Sequence, residues 1–116
     1  MAATRKPIGS VQVEIFAAGD GKNYPRRGQY VEIHYTAFLE NGTQFDSSRE
    51  RGKPFRFRLG CEQVVPGLDD GVAQISVGER AKVVIPASMA YGEKGFPGLV
   101  PPNSILVFDI ELIAIN

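Results

Sequence analysis

Little in this sequence could attack, protonate or cleave a bond. His34 is the only histidine and Cys61 the only cysteine. Nucleophilic catalysis needs a nucleophile beside a base, and nothing in the spacing brings these two together. His34 falls on the polar face of an alternating stretch, the place of an exposed strand histidine, and Cys61 follows a turn glycine as an incidental thiol. One imidazole and one thiolate fall short of a zinc site, and no calcium-loop spacing is present. No G-x-G-x-x-G opens a helix and there is no G-x-x-x-x-G-K-[ST] loop, so nucleotide binding has no motif. The adjacent carboxylates Asp69 and Asp70 suit the start of a helix, where the dipole favours them. The residues call for no metal and no cofactor.

What they offer instead is a pocket for an apolar group. Tyr35, Phe45, Phe55, Phe57, Tyr91, Phe96 and Phe108 fall at inward strand positions or in loops. Phe57 reads as core. The others lie near turns or near a long loop, where a core residue can also line a cavity, and the Tyr35 and Tyr91 hydroxyls need partners if buried. Asp46 fits two roles. It can cap a turn through its own backbone, or place a carboxylate at the rim of an aromatic pocket.

The elements that must position these residues show as period-two alternation. Val11, Val13 and Ile15 form one such run; Val31, Ile33, Tyr35, Ala37 and Leu39 a second; Phe55, Phe57 and Leu59 a third. Ala81, Val83 and Ile85 form a fourth, and Leu106, Phe108, Ile110 and Leu112 a fifth. Each reads as a strand with one face on a core and one in water. Gly19-Asp20-Gly21 ends the first, and Asn41-Gly42 predicts a hairpin. An apolar sheet face needs a cover. The one helical stretch is Pro66 to Ser76, with Pro66 at the first helical position and Leu68, Val72 and Ile75 on one face. Gly67 and Gly71 keep it short. The expected fold is α+β: a twisted, mainly antiparallel five-stranded half-barrel wrapped around one short α-helix. Residues 86–104 make an ordered loop rich in Pro and Gly. Loops longer than about 12–15 residues in a compact domain are usually functional or disordered, and Tyr91, Phe96, Leu99 and Val100 argue against disorder. The alternative is a loop packed for its own sake.

At 116 residues the chain suits one domain. A loose arm is expected over 1–10 and the domain over 11–116. The 13 basic and 13 acidic residues balance, so no strong positive field favours nucleic acid. No run of 18 apolar residues predicts a membrane helix, and the first ten residues lack the apolar stretch of a secretory signal. A single thiol suits a reducing compartment, so the expectation is a cytoplasmic monomer.

Three groups of motifs carry a resemblance. The first is His34-Tyr35-Thr36, Asn41-Gly42 and Phe45-Asp46-Ser47-Ser48; the second is Val64-Val65-Pro66-Gly67-Leu68 with Gly71-Val72. The third is Ala90-Tyr91-Gly92, Gly95, Pro97, Pro101 and Leu106 to Leu112. In order and spacing, from Val11 to Ile115, they resemble the FK506-binding protein (FKBP) family of prolyl isomerases, in its single-domain form. The resemblance implies peptidyl-prolyl cis-trans isomerase activity on proline-containing peptides and proteins. It also implies binding of macrolides such as FK506 and rapamycin, and ligand-dependent capture of calcineurin or a TOR kinase. By position, Tyr35, Phe45, Phe55, Val64, Val65, Leu68, Tyr91 and Phe108 line the prolyl pocket. Asp46 is the carboxylate at its rim with Arg51 as charge partner, and Phe96, Leu99 and Val100 close its edge. The Val65 N–H and the Tyr91 hydroxyl hold carbonyls, so Tyr35, Asp46, Val65, Tyr91 and Phe108 are the residues expected to act on the amide. Two positions depart from the family: Leu68 stands where tryptophan often floors the pocket, and Gln63 where an acidic residue is frequent. Leu68 keeps a second reading open, a non-catalytic or weakly catalytic binding module of the same fold that docks a protein partner.

Overall fold

The computed structural model describes residues 10–116. The expected arm over 1–10 lies, apart from Ser10, outside the described residues. Six strands form one sheet: β1 (Gln12–Ala17), β2 (Tyr30–Leu39), β3 (Gln44–Ser47), β4 (Phe55–Arg58), β5 (Arg80–Ile85) and β6 (Leu106–Ile115). Their order is β1-β5-β6-β2-β3, with β4 also paired to β2, and every pairing is antiparallel. The alternation predicted five strands. The sixth, β3, holds a single apolar side chain, Phe45, and so shows no alternation of its own. It forms because Asn41-Gly42 turns the chain back: the Gly42 N–H donates to Leu39 O at 2.9 Å, and Gly42 holds φ +94°.

Leu106, Phe108, Ile110 and Leu112 of β6 are all buried, as are Val31, Ile33, Tyr35 and Ala37 of β2. These are the inward sets the alternation assigns. Helix α2 (Pro66–Val72) covers the concave face. It stops one turn earlier than the apolar spacing suggests. Beyond Val72 the amides of Gln74 and Ile75 donate to Gly71 and Val72, three residues back, so the chain tightens and leaves the α-helix. Ile75 is still fully buried. Gly67 and Gly71 set the depth of the helix against β5. A methyl group at Gly67 would run into Ile85 Cγ2, and one at Gly71 would sit 2.6 Å from Val83 Cγ1.

A second, four-residue helix, α1 (Ser48–Arg51), occupies what reads in sequence as a turn. Ser47 caps it, its Oγ accepting from the Glu50 N–H, and Gly52 ends it in the left-handed conformation. The long loop over 86–104 is ordered: Phe96 and Val100 exchange both backbone hydrogen bonds at 2.8 Å, and the Asn103 N–H donates to Gly92 O.

Candidate active site

Strand β2 supplies Tyr35 to the concave face, and its neighbour β6 supplies Phe108. In the β2–β6 register Phe108 stands opposite Ala37, so a small side chain leaves room beside an aromatic ring. Phe55, the first residue of β4, meets Tyr35 edge-on with centroids 5.8 Å apart, and Phe108 lies 5.8 Å from Tyr35 on another side. Leu68 comes up from α2, and Val64 and Val65 form the turn that enters it. With Phe45, Asp46, Gln63 and Tyr91 these residues enclose a cavity of about 190 Å³. Ten of the residues named from sequence therefore converge on one hollow.

Asp46 fulfils both roles that its position in the sequence allows. Its Oδ1 accepts from the Ser47 N–H at 2.9 Å, a local turn bond. The same carboxylate is the anchor of the cavity rim. Tyr35 donates its hydroxyl to Asp46 Oδ2 at 2.5 Å, and Arg51 donates through Nη1 to Oδ1 at 2.5 Å. A third side closes the triangle, with Arg51 Nη2 donating to the Tyr35 oxygen at 3.0 Å. Partial burial alone would push the Asp46 carboxyl up. The bonds from Tyr35 and Arg51, the guanidinium charge and the Ser47 N–H together outweigh it and hold the group below the ordinary carboxylate value. Burial pushes the Tyr35 hydroxyl up, and Asp46 adds to it. The hydroxyl stays protonated at neutral pH and the carboxylate stays charged.

Two donors on residues that line the cavity have nothing to bond among the described residues. The Val65 N–H precedes the first turn of α2, and no carbonyl or side chain accepts from it. Tyr91 makes no hydrogen bond through its hydroxyl; burial, then the Asp46 charge, raises its pKa. Gln63 is committed elsewhere, its Oε1 accepting from the Arg58 N–H at 2.8 Å.

The remaining predicted residues stand around the cavity rather than in its wall. Arg51 is half-exposed and reaches the cavity through Asp46. Phe96 and Leu99 are exposed on the long loop, with Phe96 edge-on to Tyr91 at 5.5 Å. Val100 is buried in the core, where it ties the loop down through Phe96.

Over residues 21–113 the sequence matches the family of FKBP-type peptidyl-prolyl cis-trans isomerases. The chain belongs to that family. Its activity is the isomerisation of prolyl peptide bonds. FK506-binding protein 1 of Debaryomyces hansenii is 56% identical over 107 residues, which are 92% of this chain and 96% of that one. Peptidyl-prolyl cis-trans isomerase Fkbp12 of Drosophila melanogaster is 54% identical over 106 residues, 91% of this chain and 98% of that one. Among solved structures, FkpA from Escherichia coli superposes with a TM-score of 0.87 at 37% identity. That match covers 97% of this chain, which spans about half, 51%, of the FkpA chain.

Ser48 is a member of the site that the sequence reading misses. It is fully buried, accepts from the Tyr35 N–H at 2.8 Å and contacts His34 Nδ1 at 2.9 Å. It therefore fixes the backbone that carries Tyr35. His34 is accordingly half-buried and bonded, not the exposed strand histidine its polar-face position suggests. A signal was present: Ser47 followed three residues later by Glu50 is a capping-box pattern. It marks the helix that lifts Arg51 over Asp46 and turns Ser48 inward.

Proposed function

We propose that the aromatic cavity receives the prolyl ring of an X–Pro peptide. The Val65 N–H and the Tyr91 hydroxyl then hold the flanking carbonyls while the amide turns. The observation that carries this reading is the pair of unbonded donors on residues lining an aromatic-walled hollow of about 190 Å³. A planar amide resists rotation by about 18–20 kcal/mol because twisting destroys its resonance. No bond is broken, so a surface that binds the twisted form better than either planar form is sufficient. The twisted amide has less charge separation, and Tyr35, Phe55, Phe108 and Leu68 provide an apolar surround that suits it. Asp46, kept ionised by Tyr35 and Arg51, orients the substrate at the rim. The same hollow takes the ring of FK506 or rapamycin, with Phe96 and Leu99 exposed beside the bound macrolide for calcineurin or a TOR kinase. We assign this activity to a domain of residues 11–116 acting in the cytoplasm, where the exposed thiol of Cys61 stays reduced.

Exchange between cis and trans forms of a short Phe-Pro peptide, followed by NMR, tests the reading. Catalytic amounts of the protein should accelerate exchange, one equivalent of FK506 should abolish it, and Tyr91→Phe should lower kcat/KM about fivefold, the worth of one hydrogen bond near 1 kcal/mol. Binding of FK506 without any acceleration would leave a docking module in place of an enzyme.

A further inference from the structure

A second hollow adjoins the prolyl cavity and differs from it in charge. It measures about 540 Å³ and is lined by Arg51, Lys53, Pro54, Phe55 and Arg56. Phe55 belongs to both hollows, and Arg51 reaches from this one to Asp46 in the other. Because Phe55 is a wall of both, the second hollow lies next to a chain whose proline sits against Phe55.

The two hollows together contain one acidic side chain, Asp46, and three cations, Arg51, Lys53 and Arg56. Asp46 is already paired with Arg51. Lys53 and Arg56 form no ion pair among the described residues. This excess is local, since the whole chain carries no net charge. Arg56 even bypasses an available acid: Glu32 stands opposite it in the β2–β4 register, yet its guanidinium lies 4.0 Å above the ring of Tyr30. A guanidinium laid on an aromatic face keeps its N–H groups free at the edge, in the fork that fits a carboxylate or phosphate. Lys53 and Arg56 are exposed while Pro54 and Phe55 between them are half-buried, so the hollow offers an apolar floor with a free cation at Lys53 and a second, Arg56, at its outer edge over Tyr30.

Building on the prolyl-isomerase reading above, we propose that Lys53 and Arg56 form a specificity subsite. It seats an acidic side chain, Asp, Glu or a phosphorylated residue, a few positions to one side of the substrate proline. The subsite selects substrates and takes no part in turning the amide.

Matched peptides test this, each with a central Phe-Pro and a single Glu, or isosteric Gln, at one of the three positions before or after it. kcat/KM is measured by NMR exchange at low and high salt. Exposed ion pairs are each worth at most about 1 kcal/mol, so the Glu peptides on one flank should be turned over about fivefold better than their Gln partners. That advantage should vanish in high salt, where charges are screened within about 3 Å. Lys53→Gln with Arg56→Gln should remove it while the Gln peptides are processed as before. Lys53→Glu with Arg56→Glu should reverse it in favour of Lys-bearing peptides. Equal turnover of Glu and Gln peptides by the unaltered protein would overturn the subsite, as would an advantage spread evenly over both flanks or one that survives both double variants. Failure to turn over any peptide would overturn the prolyl-isomerase reading instead.

Discussion

The aromatic cavity has a larger counterpart at the other end of β6. There Lys22, Asn23, Tyr24, Arg26, Gln29, Val77 and Ile113–Ile115 surround a groove of about 650 Å³, against about 190 Å³ for the cavity. The backbone amides around the groove are held by nearby side chains, and its charged groups, Lys22 and Arg26, face no aromatic wall. Asp20 accepts from the Lys22 and Asn23 amides at 2.9 and 3.0 Å, and Gln29 Oε1 accepts from the Arg26 N–H at 2.7 Å. Its one aromatic residue, Tyr24, is exposed. The small cavity has the reverse character, with aromatic walls, a charge held in place and two donors left over. Volume alone does not make a site. Convergent apolar walls with a few unspent polar groups do.

The sharpest way to break this contrast is to lift the floor of the cavity. Leu68 is positioned by a helix that approaches β5 only because Gly67 has no side chain. Gly67→Ala should force helix and sheet apart, costing about 2–3 kcal/mol of stability, read from the urea midpoint at constant slope. Prolyl turnover should fall with it. An unchanged midpoint would mean that the helix sits further from Ile85 than the packing requires.

Next in size is the charge at the rim. Asp46→Asn keeps a partner for Tyr35 but removes the anion, and kcat/KM should fall about tenfold, the worth of a charge-assisted hydrogen bond. The pH profile gives an independent check. Because the folded-state pKa of Asp46 is depressed, its ionised form and the stability it contributes are present above the ordinary value of 3.8. They are lost only as pH falls through the lower folded value. Activity should therefore stay level from neutral pH down to about that ordinary value, and the Asn variant should lose the acid limb. A limb in the original protein centred above the ordinary carboxylate range would contradict the Tyr35–Asp46–Arg51 triangle.

How far the two regions were legible in the sequence follows from what each depends on. Tyr35, Phe55 and Phe108 could be placed because strand alternation fixes which face a side chain takes, and the family motifs name the rest of the wall. The strand β3 and helix α1 escape a pattern reading because Gln44–Ser47 holds one apolar side chain and Ser48–Arg51 none, so neither shows an apolar period. Their consequences were missed with them: Ser48 under Tyr35, and the buried side of His34. The resemblance points to Val65, but its unspent N–H depends on how α2 begins, which is a three-dimensional fact. Phe57, which alternation assigns to the core, is buried there, while Val100 shows that a loop residue in a site motif can serve the fold.

The smallest effect expected is a null result that the contrast requires. Tyr24→Ala removes the only aromatic side chain from the large groove and enlarges it further. A site defined by volume would respond to this. A site defined by aromatic convergence and free donors would not, because Tyr24 contributes to neither and lies at the far end of β6 from Phe108. Surface changes of this kind shift stability by about 0.5 kcal/mol or less, so both the urea midpoint and prolyl kcat/KM should stay within about twofold of the original chain. A larger loss of turnover at an unchanged midpoint would show that the groove communicates with the cavity. The two ends of β6 would then have to be treated as one functional surface.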